Sequence, residues 1–229
     1  MLRNTAILIF SRLPHEEILH KRISNKTEVN LALWQHLYSK TFKEAKKTGI
    51  PIVAYGEKDQ KGKTFGEKIT NAIKDAYNKG FENLIVLGAD CPEISFKHIE
   101  GAHIQLLSGK EIVAGQDKRG GIYLLGLNKK AFIAEKFLSF SWQTNLLFND
   151  IKNFAADFTF IKLSSILNDI NSKKDVTVFL NYVLISKRFK TLLKLLFKAF
   201  KTKQQIISVN IQYFIFAFHY ILRGPPSLS

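Results

Sequence analysis

The stretch Val86-Leu87-Gly88-Ala89-Asp90-Cys91-Pro92-Glu93 carries an apolar run straight into a carboxylate. Pro92 has no amide hydrogen to offer a ladder, so a strand ending here cannot continue regularly past Asp90. In open α/β sheets, ligands gather beyond the carboxyl ends of the strands. A carboxylate at that place is a hard-oxygen ligand suited to Mg²⁺ or Mn²⁺ shared with substrate phosphates. It could equally cap the turn before the next helix, and position alone leaves both readings open. Cys91 has no His near it in sequence and reads as a small buried apolar residue.

A second candidate, Gly56 to Thr64 (GEKDQKGKT), ends in Gly-Lys-Thr between a strand and a helix. A phosphate-cradling P-loop needs four residues between its glycines, and this segment has five, which misplaces the wrapping amides. The segment Gly115 to Tyr123 (GQDKRGGIY) holds paired glycines, Gly120 and Gly121, that suit a tight turn against a ligand or another backbone. No Ser-His-Asp or Cys-His arrangement is visible, so nucleophilic catalysis is not expected.

Such residues need elements to place them. Strands are expected at Thr5–Phe10, Ile52–Tyr55, Asn83–Gly88, Glu111–Ala114, Ile122–Leu127 and around Phe158–Leu163. Helices are expected at Asn25–Lys47 (capped by Thr27 or Asn25), Phe65–Asn78 and Ser95–Leu107, with another opened by Ser172 and Asp175 in a capping-box pattern. Alternating helices and strands, with strands apolar on both faces, predict an α/β sandwich around a mostly parallel sheet.

Six segments in order, AILIFSR, FGEKITNAI, VLGADCPEIS, GGIYLLGL, FSWQTN and LNDINSKKDV, resemble an uncharacterised bacterial family with a GT-A-like fold, commonly called glycosyltransferases. Its relatives include the phospholactate and molybdenum-cofactor guanylyltransferases. The resemblance runs from about Ala6 to Val176. It implies a Rossmann-like nucleotide-diphospho-sugar transferase domain over 1–183, acting as a metal-dependent glycosyl- or nucleotidyltransferase with Mg²⁺ or Mn²⁺. It assigns Asp90 to the metal and the catalytic centre, and a weaker, uncharged metal contact to Asn171, where the family usually has Asp. Ser11, Arg12, Lys21, Arg22, Gly88, Gly120 and Gly121 fall on the nucleotide phosphates, with Arg22 assisting catalysis. Trp142 and Thr144 fall on the acceptor side, although Trp142 could be a core residue instead.

Two departures stand out. The family's first loop resembles Pro-x-x-Gly-x-x-Lys-Thr-Arg-Leu, a flexible basic turn. Here Glu17 replaces the glycine and His20 the lysine, leaving Lys21 to supply the charge from a neighbouring position. The family's Asp-Gly-Gly-Tyr reads Arg119-Gly120-Gly121-Ile122, so an acid has become a base, with Asp117 as a candidate substitute. These changes raise an alternative, a non-catalytic binding protein that keeps the fold.

Composition bounds the rest. The chain has 229 residues, 46% of them hydrophobic, and a formal net charge of +15. That charge suits phosphates, anionic lipid or nucleic acid without choosing among them. A single Cys excludes an internal disulfide and predicts a reducing, cytoplasmic setting. MLRNTAILIFSR lacks a cleavage site and reads as a first strand rather than a signal peptide. Beyond Tyr182 lie eight Lys or Arg and no acid. Within this tail (184–229), residues 187–203 repeat lysines at helical spacing, with Phe189, Leu192, Leu193, Leu196 and Phe200 opposite. That pattern serves either a helix on an anionic membrane at the inner face or one docked on the domain. The apolar stretch Ile206–Leu222 is interrupted by Asn210, Gln212 and His219 and reads as buried or interfacial rather than spanning. The phenylalanines are not interleaved with the lysines, and no nucleic-acid motif occurs, which disfavours that partner.

Overall fold

The computed structural model describes residues 4–180 and 189–194. Six strands form one sheet: β1 (Thr5–Phe10), β2 (Ile52–Tyr55), β3 (Asn83–Leu87), β4 (Ile112–Gln116), β5 (Ile122–Asn128) and β6 (Phe160–Lys162), in the order β2-β1-β3-β5-β4-β6. The pairs β1–β2, β1–β3 and β4–β6 are parallel. β5 alone runs the other way, antiparallel to both β3 and β4. The glycine-rich turn after β4 is too short for a crossover, so β5 must return as a hairpin partner.

Alternate side chains of each strand enter different cores. Ala6, Leu8 and Phe10 join a cluster with Ile69, Ile73, Phe137 and Phe148, on α3 (Phe65–Asn78), α5 (Ala134–Ser139) and α6 (Leu147–Phe154). Ile7, Ile9, Ile85 and Leu87 enter the opposite cluster with Ile99 and Leu106 of α4 (Phe96–Leu107) and Ala45 of α2 (Thr27–Lys46). Helices on both faces explain why these strands are apolar on both sides.

A third cluster joins Val29, Leu33, Trp34 and Leu37 of α2 to Val176 and Phe179 of α7 (Lys173–Leu180) and to Phe189, Leu192 and Leu193. Residues 189–194 are helical, and their apolar side chains are buried there, with Phe189 stacked on His36 at 4.8 Å. That part of the tail's apolar face docks on the domain. The expected domain edge near Leu184, the rest of the amphipathic repeat and the stretch Ile206–Leu222 lie outside the described residues. Among the described residues no helix is long and apolar enough to cross a membrane.

Several local expectations are corrected. The segment after β1, where the resembled family has a flexible basic turn, is here a helix, α1 (Pro14–His20). Pro14 takes the first helical position and Glu16 accepts the Leu13 amide at 2.8 Å, so both act as helix-starting residues. Neither Thr27 nor Asn25 caps α2. Asn30 reaches back instead, its Oδ1 accepting the amides of Ile23 (2.8 Å) and Ser24 (2.7 Å). The capping pattern at α7 is present as read: Asp175 Oδ2 accepts from the Ser172 amide at 2.7 Å and its hydroxyl at 2.8 Å.

Candidate active site

The chain runs from β1 to β2 on one side and then crosses to β3 on the other, so strand order reverses at β1. A crevice opens at the carboxyl ends of strands at such a switch point. Here it is a cleft of about 710 Å³. Ser11, Arg12 and Pro14 enter it from the end of β1, and Gly88, Ala89 and Asp90 from the end of β3.

Asp90 is held by its neighbours. A Cβ on Gly88 would stand 3.0 Å from Asp90 Oδ1, so the glycine lets the carboxylate fold back over the strand end. The Asp90 carbonyl accepts the Ile170 amide at 2.9 Å, and Glu93 accepts both the backbone and side-chain nitrogens of Asn168 at 2.8 Å. These bonds pin residues 168–170 beside the end of β3. Cys91 is buried, as expected, and burial pushes its thiol well up.

The pinned segment brings an unanticipated carboxylate into the site. Asp169 lines the cleft, and its Oδ1 is buried without a hydrogen-bond partner among the described residues. Loss of hydration pushes its carboxyl well above the usual range, and the nearby charges of Asp90 and Asp117 push it further. Asn171, two residues on, also lines the cleft, while its backbone amide donates to Asp175 at 2.9 Å. The resemblance directs attention to Asn171, but the second carboxyl group near Asp90 belongs to Asp169. The adjacent Asp in LNDIN was the available signal.

Opposite Asp90, Lys21 Nζ donates to Asp90 Oδ2 at 2.9 Å and lies 3.4 Å from Glu17 Oε1. Burial pulls the lysine down, but Asp90 and Glu17 outweigh it and leave it raised. Glu17 also meets Arg12 at 3.4 Å. The two adjacent acids therefore do not face the cleft as free charges: Glu16 caps α1, and Glu17 bridges two cations. Arg22 is exposed and does not line the cleft.

The glycine-rich turn closes another wall. Gly120 has φ +90°, and a Cβ there would stand 2.2 Å from the Asn145 carbonyl oxygen. Gly121 lines the cleft, with its missing Cβ leaving room for Asp117. Asp117 Oδ1 accepts the amides of Arg119 (2.7 Å) and Gly121 (2.9 Å). Arg119 forms an ion pair with Asp175, which ties the turn to α7. Gly120 acts on the turn's packing and is not among the cleft-lining residues.

Trp142 combines both roles considered for it. Its indole Nε1 donates to the Phe137 carbonyl at 2.7 Å and its ring packs on Gly66 and Phe65, yet it lines the cleft beside Thr144. Between them Gln143 adopts φ +63°, a left-handed conformation unusual for a residue with a Cβ. The rejected P-loop segment also reaches the cleft, through Gln60 and Lys63. Its Thr64 caps α3, accepting the Glu67 amide at 3.1 Å.

Among the described residues, no group of three or more His, Cys, Asp or Glu side chains is arranged to hold a metal ion. The available donors are a pair, Asp90 and Asp169. The unpartnered, buried Asp169 oxygen fits a cation shared with ligand phosphates better than a closed protein cage.

Residues 22–144, more than half of the chain, match the family described as "Uncharacterized protein conserved in bacteria (DUF2064)". The chain belongs to this family. No curated protein matches it. Among solved structures it is similar to a candidate nucleotide-diphospho-sugar transferase from Desulfovibrio desulfuricans, at 17% identity and TM-score 0.67, covering 86% of this chain and 96% of that one. It is also similar to a 4-diphosphocytidyl-2C-methyl-D-erythritol synthase from Anaerococcus prevotii, at 11% identity and TM-score 0.50, covering 78% and 97%. At these identities the likeness establishes the fold, the one expected from the ordered motifs.

Proposed function

We propose that the protein is a nucleotidyl- or glycosyltransferase whose cleft takes a nucleotide or nucleotide-sugar donor. The observation carrying this reading is the meeting of Asp90, Asp169 and Lys21 at the switch point between β1 and β3. Two similar structures, a candidate nucleotide-diphospho-sugar transferase and a 4-diphosphocytidyl-2C-methyl-D-erythritol synthase, support it by analogy of fold.

Asp90 and Asp169 would hold Mg²⁺ or Mn²⁺, with Asn171 as a neutral neighbour. When bound, the ion would supply charge neutralisation of a donor diphosphate. Lys21 and Arg12 orient phosphate oxygens from the side of β1, and Ser11 offers a hydroxyl beside them. The turn at Gly121, whose amide is held by Asp117, walls the donor's other end. Trp142 and Thr144 wall the acceptor side and exclude water. Positioning and fixed charge lower the barrier, without a covalent protein intermediate.

A second reading, binding without turnover, is favoured by one feature: the cations Lys21 and Arg119 are already paired, with Asp90 and Asp175. The two readings share the donor site and separate on turnover. The setting we propose is cytoplasmic, and contact of the basic tail with an anionic membrane belongs to the same proposal. Thermal-shift screening against sugar nucleotides and nucleoside di- and triphosphates with Mn²⁺ tests the shared site. Stabilisation by at least one nucleotide class, absent with the free sugars, is expected. A flat response across all classes refutes it.

A further inference from the structure

The carboxylates of the cleft already meet a cation that belongs to the chain. Lys21 Nζ touches Asp90 Oδ2 at 2.9 Å, lies near Asp169, and sits 5.8 Å from the centroid of the Trp34 ring. Its backbone is fixed as well: the Lys21 amide donates to the Glu17 carbonyl at 2.8 Å, and the Lys21 carbonyl accepts the Trp34 indole N–H at 3.1 Å. We propose that Lys21 is the resident cation of this site and that a divalent metal ion reaches Asp90 only by displacing its ammonium. This rests on the proposed donor site only for the purpose the metal would serve.

With the ammonium on Oδ2, a divalent ion on either oxygen of the same carboxylate would stand within a few ångströms of it and be repelled. Displacement is feasible because Lys21 has a second partner in place. Glu17 Oε1 is 3.4 Å away, so the ammonium released from Asp90 moves onto Glu17 instead of being left buried and unpaired. Lysine suits the task because its ammonium is a compact point charge on a flexible stem, whereas an arginine fork is held by two parallel bonds. A ligand phosphate would be a further acceptor for the displaced ammonium. Metal and nucleotide should therefore bind cooperatively, each strengthening the other by the same factor.

Electron paramagnetic resonance of free Mn²⁺, titrated into the intact protein without nucleotide, tests this directly. Lys21→Met removes the competing charge while keeping most of the stem, so it should bind Mn²⁺ about tenfold more tightly than wild type, the scale of a hydrogen bond to a charged group. Adding Asp90→Asn to Lys21→Met should abolish that gain. Equal or weaker binding by Lys21→Met overturns the proposal, and so does no Mn²⁺ binding by either form. If Lys21→Met fails to fold by circular dichroism, Glu17→Gln is the second probe. It removes the exchange partner and should weaken Mn²⁺ binding, and unchanged or tighter binding overturns the proposal. Nucleotide binding is scored separately by thermal shift, so a site that exchanges Mn²⁺ for Lys21 yet binds no nucleotide would refute only the proposed function.

Discussion

Lys21 Nζ lies 2.9 Å from Asp90 Oδ2, a contact between residues 69 positions apart that joins the helix after β1 to the end of β3. It spans the switch point where a ligand would lie. Through Glu17 the same lysine is linked to Arg12, and through its carbonyl to Trp34 on α2. Lys21 and Arg12 are thus already paired with acids of the chain.

Asp169 should impose a pH dependence on stability. Its carboxyl is raised in the folded state, chiefly by loss of hydration, above an unfolded value of about 3.9. The folded protein then keeps this proton to higher pH than the unfolded chain, so stability is full below about pH 4 and declines as pH rises toward the raised value. Asp169→Asn removes that decline. Melting curves in chelator from pH 4 to 7 should show the variant gaining on wild type as pH rises; a constant difference would contradict the assignment.

The docked segment 189–194 makes a separate prediction. Leu193 is fully buried against α2 and α7. Leu193→Ala should cost about 2–4 kcal/mol in denaturant unfolding, the range for a buried leucine. An unchanged midpoint would mean that this face of the helix is free in solution.

Gly120 should tolerate no side chain. At φ +90°, with a carbonyl oxygen 2.2 Å from any Cβ, Gly120→Ala combines backbone strain with a clash against the Asn145 carbonyl. A loss of at least about 2 kcal/mol is expected in thermal or chemical unfolding. A wild-type melting temperature would show that the turn does not pack on the 145 segment.

These features divide by what local sequence can encode. β1, β2 and α3 are legible to the residue, because a continuous apolar run or a capping pair such as Thr64 and Glu67 is local information. The reversed β5 follows the same apolar code as its parallel neighbours, and its direction depends on pairing that no single strand specifies. α1 is masked by the resembled loop pattern, from which Glu17 departs, although Pro14 and Glu16 are helix-starting residues in their own right. At the site, Asp90 is legible from the strand-to-proline junction. Asp169 is not, because its importance comes from the Ile170–Asp90 and Asn168–Glu93 hydrogen bonds, each more than seventy positions long in sequence. The pairing of Lys21 and Arg119 with acids is likewise a tertiary fact, invisible in a count of charges.

On the proposed function, the cleft at Asp90 takes a nucleotide with the help of a divalent cation. Isothermal titration of nucleoside diphosphates with Mn²⁺ into wild type and Asp90→Ala measures this most directly. Wild type should bind at least one nucleotide saturably, and Asp90→Ala about tenfold or more weakly, as for loss of a charged contact. No binding by wild type, or equal affinity in the folded variant, would contradict it.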